Sequence, residues 1–421
     1  MTARFLLRPV ALALSAALLT ACHAGAPSAT APLQAQAASP RCAVPALPDY
    51  ASLQANRALP NLFTFLGGAP VNSVQDWDCR KAELRALVQR FALGQQPQWP
   101  DQSGNETVAG QFSVDTVQVS VTRQGKTISF PVKITYPSTG QAPYPAMIGV
   151  GMVSLDHDEL LSQGIAIISF PNNELAQQQN AASRGKGKFY ELYGADHTAT
   201  ASMAWSWGIS RLIDALETTV DARIDPARLG VTGCSRNGKG ALVAGAFDER
   251  IALTIAQESG NGGASGWRVA DAQRAAGQNV QTLRQIVQEN VWFTDSFKQF
   301  AETANRLPFD QHSLMSLIAP RGLLVLENTS MEWLGNQSAY TTSMAARETW
   351  KALGRPDGFG FSQVGGHQHC QLPRSQFAHV NRFAKKFLLG DRTLDTSVHE
   401  TDGTFSKDLS VWIDWPTPTL Q

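Results

Sequence analysis

The sequence has 421 residues with 35 Lys and Arg balanced by 35 Asp and Glu, 43% hydrophobic residues and ten tryptophans. Zero net charge, with no basic cluster beyond Arg184-Gly-Lys-Gly-Lys188, argues against a nucleic-acid partner, which would require a surface that neutralises phosphates. The apolar content at this length is enough to bury one large core with insertions.

The chain opens with Arg4 and Arg8 ahead of an apolar run too short to span a bilayer, the pattern of an export signal. The run ends in Leu19-Thr-Ala-Cys22, which resembles a bacterial lipobox. Residues 1–22 therefore read as a lipoprotein-type signal peptide whose Cys22 is lipidated after cleavage; an ordinary signal peptide cut at Ala21 or Ala24 is the alternative. On this reading the protein is exported and meets a membrane only through the anchor. Residues 23–40, rich in Ala, Pro, Ser, Gln and Gly, lack the large apolar groups needed to pack and read as a flexible tether. Residues 41–421 remain for the globular domain. Its four cysteines face an oxidising compartment, and of three possible connectivities the natural pairs are Cys42–Cys79 and Cys234–Cys370.

From Val117 to Tyr136 apolar and polar residues alternate around Gln124-Gly-Lys126, predicting an antiparallel hairpin. Short apolar runs bounded by turn residues then predict buried strands at 145–151, 164–170, 228–233, 251–256, 322–326 and 358–364. Helical spacing covers Met203 to Val220 and Pro373 to Leu389. Strands alternating with helices imply a mostly parallel sheet with helices on both faces, here preceded by the N-terminal hairpin. No internal repeat is visible.

Within Val231-Thr-Gly-Cys-Ser-Arg-Asn-Gly-Lys-Gly240, a strand, a sharp turn at Ser235 and a helix-competent run from Asn237 to Ala246 form the context of a nucleophile elbow. Asn237 stands where the usual G-x-S-x-G pattern has its second glycine, and since Asn tolerates left-handed angles, the turn is expected to survive there. A serine hydroxyl needs an adjacent imidazole to accept its proton. Far downstream, Gly365-Gly-His-Gln-His-Cys370 supplies His369, with His367 as a competitor. If Ser235 and His369 meet, their neighbours Cys234 and Cys370 come to the separation a disulfide requires, which favours His369 as the base. The acid that must hold the imidazole is open among Glu258, Glu327 and Glu332, all near the ends of the next two strands.

These motifs, with Leu59-Pro-Asn-Leu-Phe-Thr-Phe65, Asp76-Trp-Asp-Cys79, Ala204-Trp-Ser-Trp-Gly-Ile-Ser-Arg211, Gln257-Glu-Ser-Gly260, Leu307-Pro-Phe-Asp-Gln-His312 and Glu332-Trp-Leu334, resemble the glucuronoyl esterases of carbohydrate esterase family 15. The resemblance implies an α/β-hydrolase fold and hydrolysis of esters between 4-O-methyl-glucuronic acid of glucuronoxylan and lignin alcohols. It implies that Arg236 assists the oxyanion and that Lys239, Gln281, Glu289 and Trp333 contact the sugar. It also favours Glu258 as the acid, because Met331 occupies the place where some relatives carry an aspartate. No metal or organic cofactor is implied, and a monomer is expected. The alternatives are another carbohydrate esterase, such as an acetyl xylan esterase, and a lipid-anchored glycan-binding protein with a vestigial triad.

Overall fold

Ten strands, β1 (Glu106–Ser113), β2 (Thr116–Arg123), β3 (Lys126–Thr135), β4 (Tyr144–Val150), β5 (Ala166–Phe170), β6 (Ile224–Cys234), β7 (Ile251–Gln257), β8 (Gly322–Glu327), β9 (Phe359–Gln363) and β10 (His399–Thr401), form one sheet. Their order is β1-β2-β3-β5-β4-β6-β7-β8-β9-β10. The first pairings, through β3–β5, are antiparallel, and every pairing from β5 to β10 is parallel. The computed structural model describes Met1, Thr2 and residues 42–97 and 105–421. The expected signal peptide, Cys22 and the tether lie outside the described residues but for Met1 and Thr2.

The predicted hairpin is β2 and β3, joined by Gln124 and Gly125 with φ of 50° and 77°, the left-handed pair that a tight hairpin turn demands. Two strands escaped the sequence pattern. β1 is an edge strand with only Glu106 buried, and β10 spans three residues, so neither displays an apolar period. The expected helices appear as Ala201–Thr218, Arg236–Phe247 and Arg374–Phe387.

The sheet is apolar on both faces because helices cover both. On one face Ala146, Ile148, Val150, Val231 and Val325 join Ile209, Leu212, Ile213 and Leu242 of the helices Ala201–Thr218 and Arg236–Phe247. On the other, Met147, Ile167, Leu253, Ile255, Leu324 and Leu326 meet Val380, Phe383 and Ala384 of the helix Arg374–Phe387. Alternate residues of one strand thus feed two cores, each large side chain contributing about 1.5–3 kcal/mol against the entropy of ordering it. Cys42 bonds to Cys79 on the helix Val74–Val88, with Cα atoms 4.9 Å apart, as the sequence predicted.

Candidate active site

The parallel strands deliver the site at their C-terminal ends. Cys234 of β6 lies opposite Gln257 of β7, and Gln257 opposite Leu326 of β8. The next residues on each, Ser235, Glu258 and Glu327, therefore emerge side by side.

Ser235 links β6 to the helix Arg236–Phe247 with φ 59° and ψ −128°, a backbone state that costs a residue with a side chain about 1–3 kcal/mol. The helix returns so closely on the strand that a Cβ at Gly233 would stand 2.5 Å from the Asn237 carbonyl oxygen, and one at Gly238 2.9 Å from that of Gln257. The expectation that Asn237 takes the left-handed turn is corrected: Asn237 is helical, and its Oδ1 accepts a 3.1 Å hydrogen bond from Asn172 Nδ2. The chain reverses in the single residue between strand and helix, so the unusual angles fall on Ser235. The Ser235 N–H donates to Gln257 O at 2.9 Å. That of Arg236, first in the helix, has no partner within it, and the helix N-terminus places partial positive charge next to Ser235.

Glu258 is 1% exposed and left-handed, with φ 44°. Its Oε2 accepts from His369 Nδ1 at 2.7 Å, from the Cys370 N–H at 3.1 Å and from Asn328 Nδ2 at 3.4 Å. Neither of the two other carboxylates is bonded to His369. Glu332 is exposed and accepts from the Asn279 N–H. Glu327 is fully buried, and its Oε1 accepts from the N–H and hydroxyl of Ser259 at 3.2 and 3.4 Å. Burial, then the charge of Glu258, push the Glu327 carboxyl up to about 8.

His369 sits over the elbow. Cys234 and Cys370 are bonded with Cα atoms 5.7 Å apart, and a ring nitrogen of His369 and both sulfurs lie within 4.8 Å of one another. That trio is the one group of His, Cys, Asp or Glu spaced for a metal among the described residues, and the disulfide uses both sulfurs. His367 is held elsewhere: its Nε2 lies 3.0 Å from Val364 O, and its Nδ1 lies 3.1 Å from Gln368 O and 3.2 Å from Asn328 Nδ2, so both nitrogens already have partners. Six non-glycine residues have positive φ among those described, and Ser235, Glu258 and Cys370 are three of them.

The residues expected to contact sugar come together beside this center. Lys239 lies one turn beyond Ser235, donates from Nζ to Ser259 O at 2.5 Å, and is lowered to about 8 by burial, against the pull of Glu289 and Glu327. Gln281 donates from Nε2 to Glu289 at 3.1 Å and from its backbone N–H to Trp333 O at 3.1 Å. The Trp333 ring packs edge-on against His369 with centroids 4.9 Å apart. Two participants were missed in the sequence. Asn328 braces both Glu258 and His367, and the buried Trp292 lies 5.3 Å from the Arg236 guanidinium and 5.5 Å from the Lys239 ammonium. Nothing in Asn290-Val-Trp-Phe293 distinguishes Trp292 from a core tryptophan; only the two cations above its ring do.

A doubly covered, mostly parallel sheet with a nucleophile-type turn at one strand end defines an α/β-hydrolase. The model of the fungal glucuronyl esterase family matches residues 119–354. The chain belongs to the glucuronoyl esterases, carbohydrate esterase family 15. It is similar to the 4-O-methyl-glucuronoyl methylesterase of Hypocrea jecorina, 48% identical over 375 residues covering 89% of this chain and 79% of that one. The glucuronoyl esterase catalytic domain from the same organism superposes with a TM-score of 0.84 at 47% identity, covering 89% of this chain and all of that domain. A serine-to-alanine mutant of the Sporotrichum thermophile glucuronoyl esterase, solved in complex with methyl 4-O-methyl-β-D-glucopyranuronate, superposes with a TM-score of 0.83 at 42% identity, covering 88% and 97% of the two chains.

Proposed function

We propose that this chain is a two-step serine esterase cleaving the ester between the 4-O-methyl-glucuronic acid of glucuronoxylan and lignin alcohols. The observation that carries the reading is the 2.7 Å contact of His369 with Glu258, held at the strained Ser235 turn by the Cys234–Cys370 bond. The names of the relatives and the glucuronate ester bound to the Sporotrichum thermophile enzyme support the substrate class.

Ser235 Oγ attacks the uronoyl carbonyl carbon while its proton passes to His369 Nε2, and Glu258 steadies the imidazolium. The Arg236 guanidinium and backbone N–H stabilise the oxyanion, the transition-state interaction that lowers the barrier most. Collapse breaks the ester bond, and the departing alcohol takes the proton from His369. Water then attacks the acyl-enzyme, gives its proton to the same ring, and the second collapse restores the Ser235 hydroxyl and releases the uronic acid. Lys239, Gln281 and Glu289 bond the sugar hydroxyls, and Trp333 covers the pyranose ring. Residues 41–421 carry the whole reaction, tethered by 23–40 to a lipid at Cys22 of an exported monomer.

Turnover of a benzyl glucuronate ester compared with release of acetate from acetylated xylan tests the reading. Glucuronate ester hydrolysis with little acetate release is the expected result. The reverse would make the protein a deacetylase, and failure of a fluorophosphonate to label Ser235 would leave only glycan binding.

A further inference from the structure

The reaction above gives Glu327 no part, yet this residue ends β8 beside Glu258 just after β7, the acid that braces the base. Glu258 donates its N–H to Leu326 O at 2.6 Å, and the Glu327 side chain turns back to accept from Ser259, the residue after Glu258. Both carboxyls are enclosed, Glu327 wholly and Glu258 to within 1%. Glu258 Oε1 and Glu327 Oε2 each receive no hydrogen bond from the described residues.

The groups around them offer Glu327 no bonded cation. From the helix Arg236–Phe247 comes Lys239, whose ammonium is committed to Ser259 O. From the loop after β9 come His369, bonded to Glu258, and His367, whose Nδ1 lies 3.7 Å from Glu258 Oε1 while both its nitrogens have other partners. From the helix Arg374–Phe387, Gln376 reaches only the backbone carbonyl of Glu327. Two neighbouring carboxyls shut away from water ionise together only at a high electrostatic cost, and three donors converge on Glu258 while among the described residues Glu327 has only the N–H and hydroxyl of Ser259.

We infer that Glu327 carries a proton at neutral pH and is a positioning residue that keeps Glu258 the single negative charge behind the His369 imidazole. The inference rests on Glu258 being the triad acid. A second charge there would hold the imidazolium too firmly to return its proton to the leaving alcohol, and would draw on Lys239, which the sugar needs. The upward displacement of the Glu327 carboxyl by burial and by Glu258 agrees with this geometry.

Infrared spectroscopy reads the proton directly. Asp271, the other carboxyl raised toward neutrality, to about 7 by burial and the neighbouring Asp310, is first removed as Asp271→Asn. That variant should show a carboxylic-acid C=O band at about pH 6 that fades as the pH passes about 8, and addition of Glu327→Gln should abolish it. In steady-state kinetics Glu327→Gln, neutral and isosteric, should keep kcat at neutral pH within about threefold of wild type, while wild type should lose kcat above about 8 and the variant should not. Absence of the band, or a folded Glu327→Gln that has lost tenfold or more at neutral pH, overturns the proposal, and if Glu327→Gln does not fold, the pH series on Asp271→Asn decides alone. The band does not depend on turnover: with the band present, an active Glu258→Gln would reject the triad assignment, and the positioning role with it.

Discussion

His369 and Glu258 are tied twice over: the ring Nδ1 lies 2.7 Å from Oε2, and the same oxygen receives the backbone N–H of Cys370 at 3.1 Å. One carboxylate oxygen thereby fixes both the ring and the main chain that carries it. With Nδ1–H donating, the tautomer is set and Nε2 is the nitrogen left for the serine.

Glu258→Gln keeps the shape of the acid but turns an NH₂ or a neutral oxygen toward the ring, removing the charge that steadies the imidazolium. Activity should fall by about 10⁴, the loss seen for the equivalent change in serine proteases. Glu332→Gln and Glu327→Gln should change it far less. A nearly active Glu258→Gln beside a crippled Glu332→Gln would move the acid to the later strand.

Ser235→Ala and His369→Ala should each abolish ester hydrolysis, since members of one catalytic unit lose several orders of magnitude singly, with circular dichroism unchanged. His367→Ala should remain active, although loss of its contacts with Asn328 and Val364 will loosen the loop. An inactive His367→Ala with an active His369→Ala would reverse the assignment.

The Cys234–Cys370 bond spans 136 residues, and the chain-entropy model gives closure of such a loop about 5 kcal/mol. Replacing both cysteines by serine should lower stability on that scale in urea melts and reduce kcat as His369 loses its fixed seat. Recovery of either cysteine as a free thiol in unreduced peptide maps of wild type would contradict the pairing.

Burial holds Lys239 at about 8 in the folded protein, against an ordinary 10.5. Its ammonium is present below that value and lost above it, so KM should rise as pH passes about 8, by about 10–100-fold if the lost hydrogen bond is that of a charged donor. Lys239→Met should show a raised KM that no longer responds to pH. For stability the sign is opposite: between about 8 and 10.5 the unfolded chain binds the extra proton, so wild type should gain on Lys239→Met as pH rises through that window.

Protein made in a bacterial host should carry a lipid-sized mass at Cys22 that disappears in Cys22→Ser. An unmodified, freely secreted product would indicate a plain signal peptide instead.

The sheet was readable from sequence wherever strands are buried on both faces, since 251–256, broken only by Thr254, and 322–326 are then mostly apolar runs. It was unreadable at β1, which shows the core a single fully buried residue. Ser235 and His369 were legible because their cysteine neighbours encode a long-range contact in local sequence. The turn strain was misplaced onto Asn237, because a residue's tolerance of left-handed angles says nothing about where the chain must reverse. Asn328 and Trp292 escaped because their roles come from residues far away in the chain: Glu258 and His367 for one, Arg236 and Lys239 for the other.

Of the three left-handed residues at the site, Cys370 is itself half of the cross-link and Ser235 adjoins the other half. A chain among cellular thiol reductants lacks that link, and without it the His369 loop has no covalent reason to stay over the elbow. If the protein is exported as its N-terminal sequence predicts, full assembly of the reactive geometry is deferred until the polypeptide reaches an oxidising space. On the export reading, timing becomes a product of connectivity: the reduced chain is expected to be the slower esterase, with full turnover only where oxidation has sealed the loop.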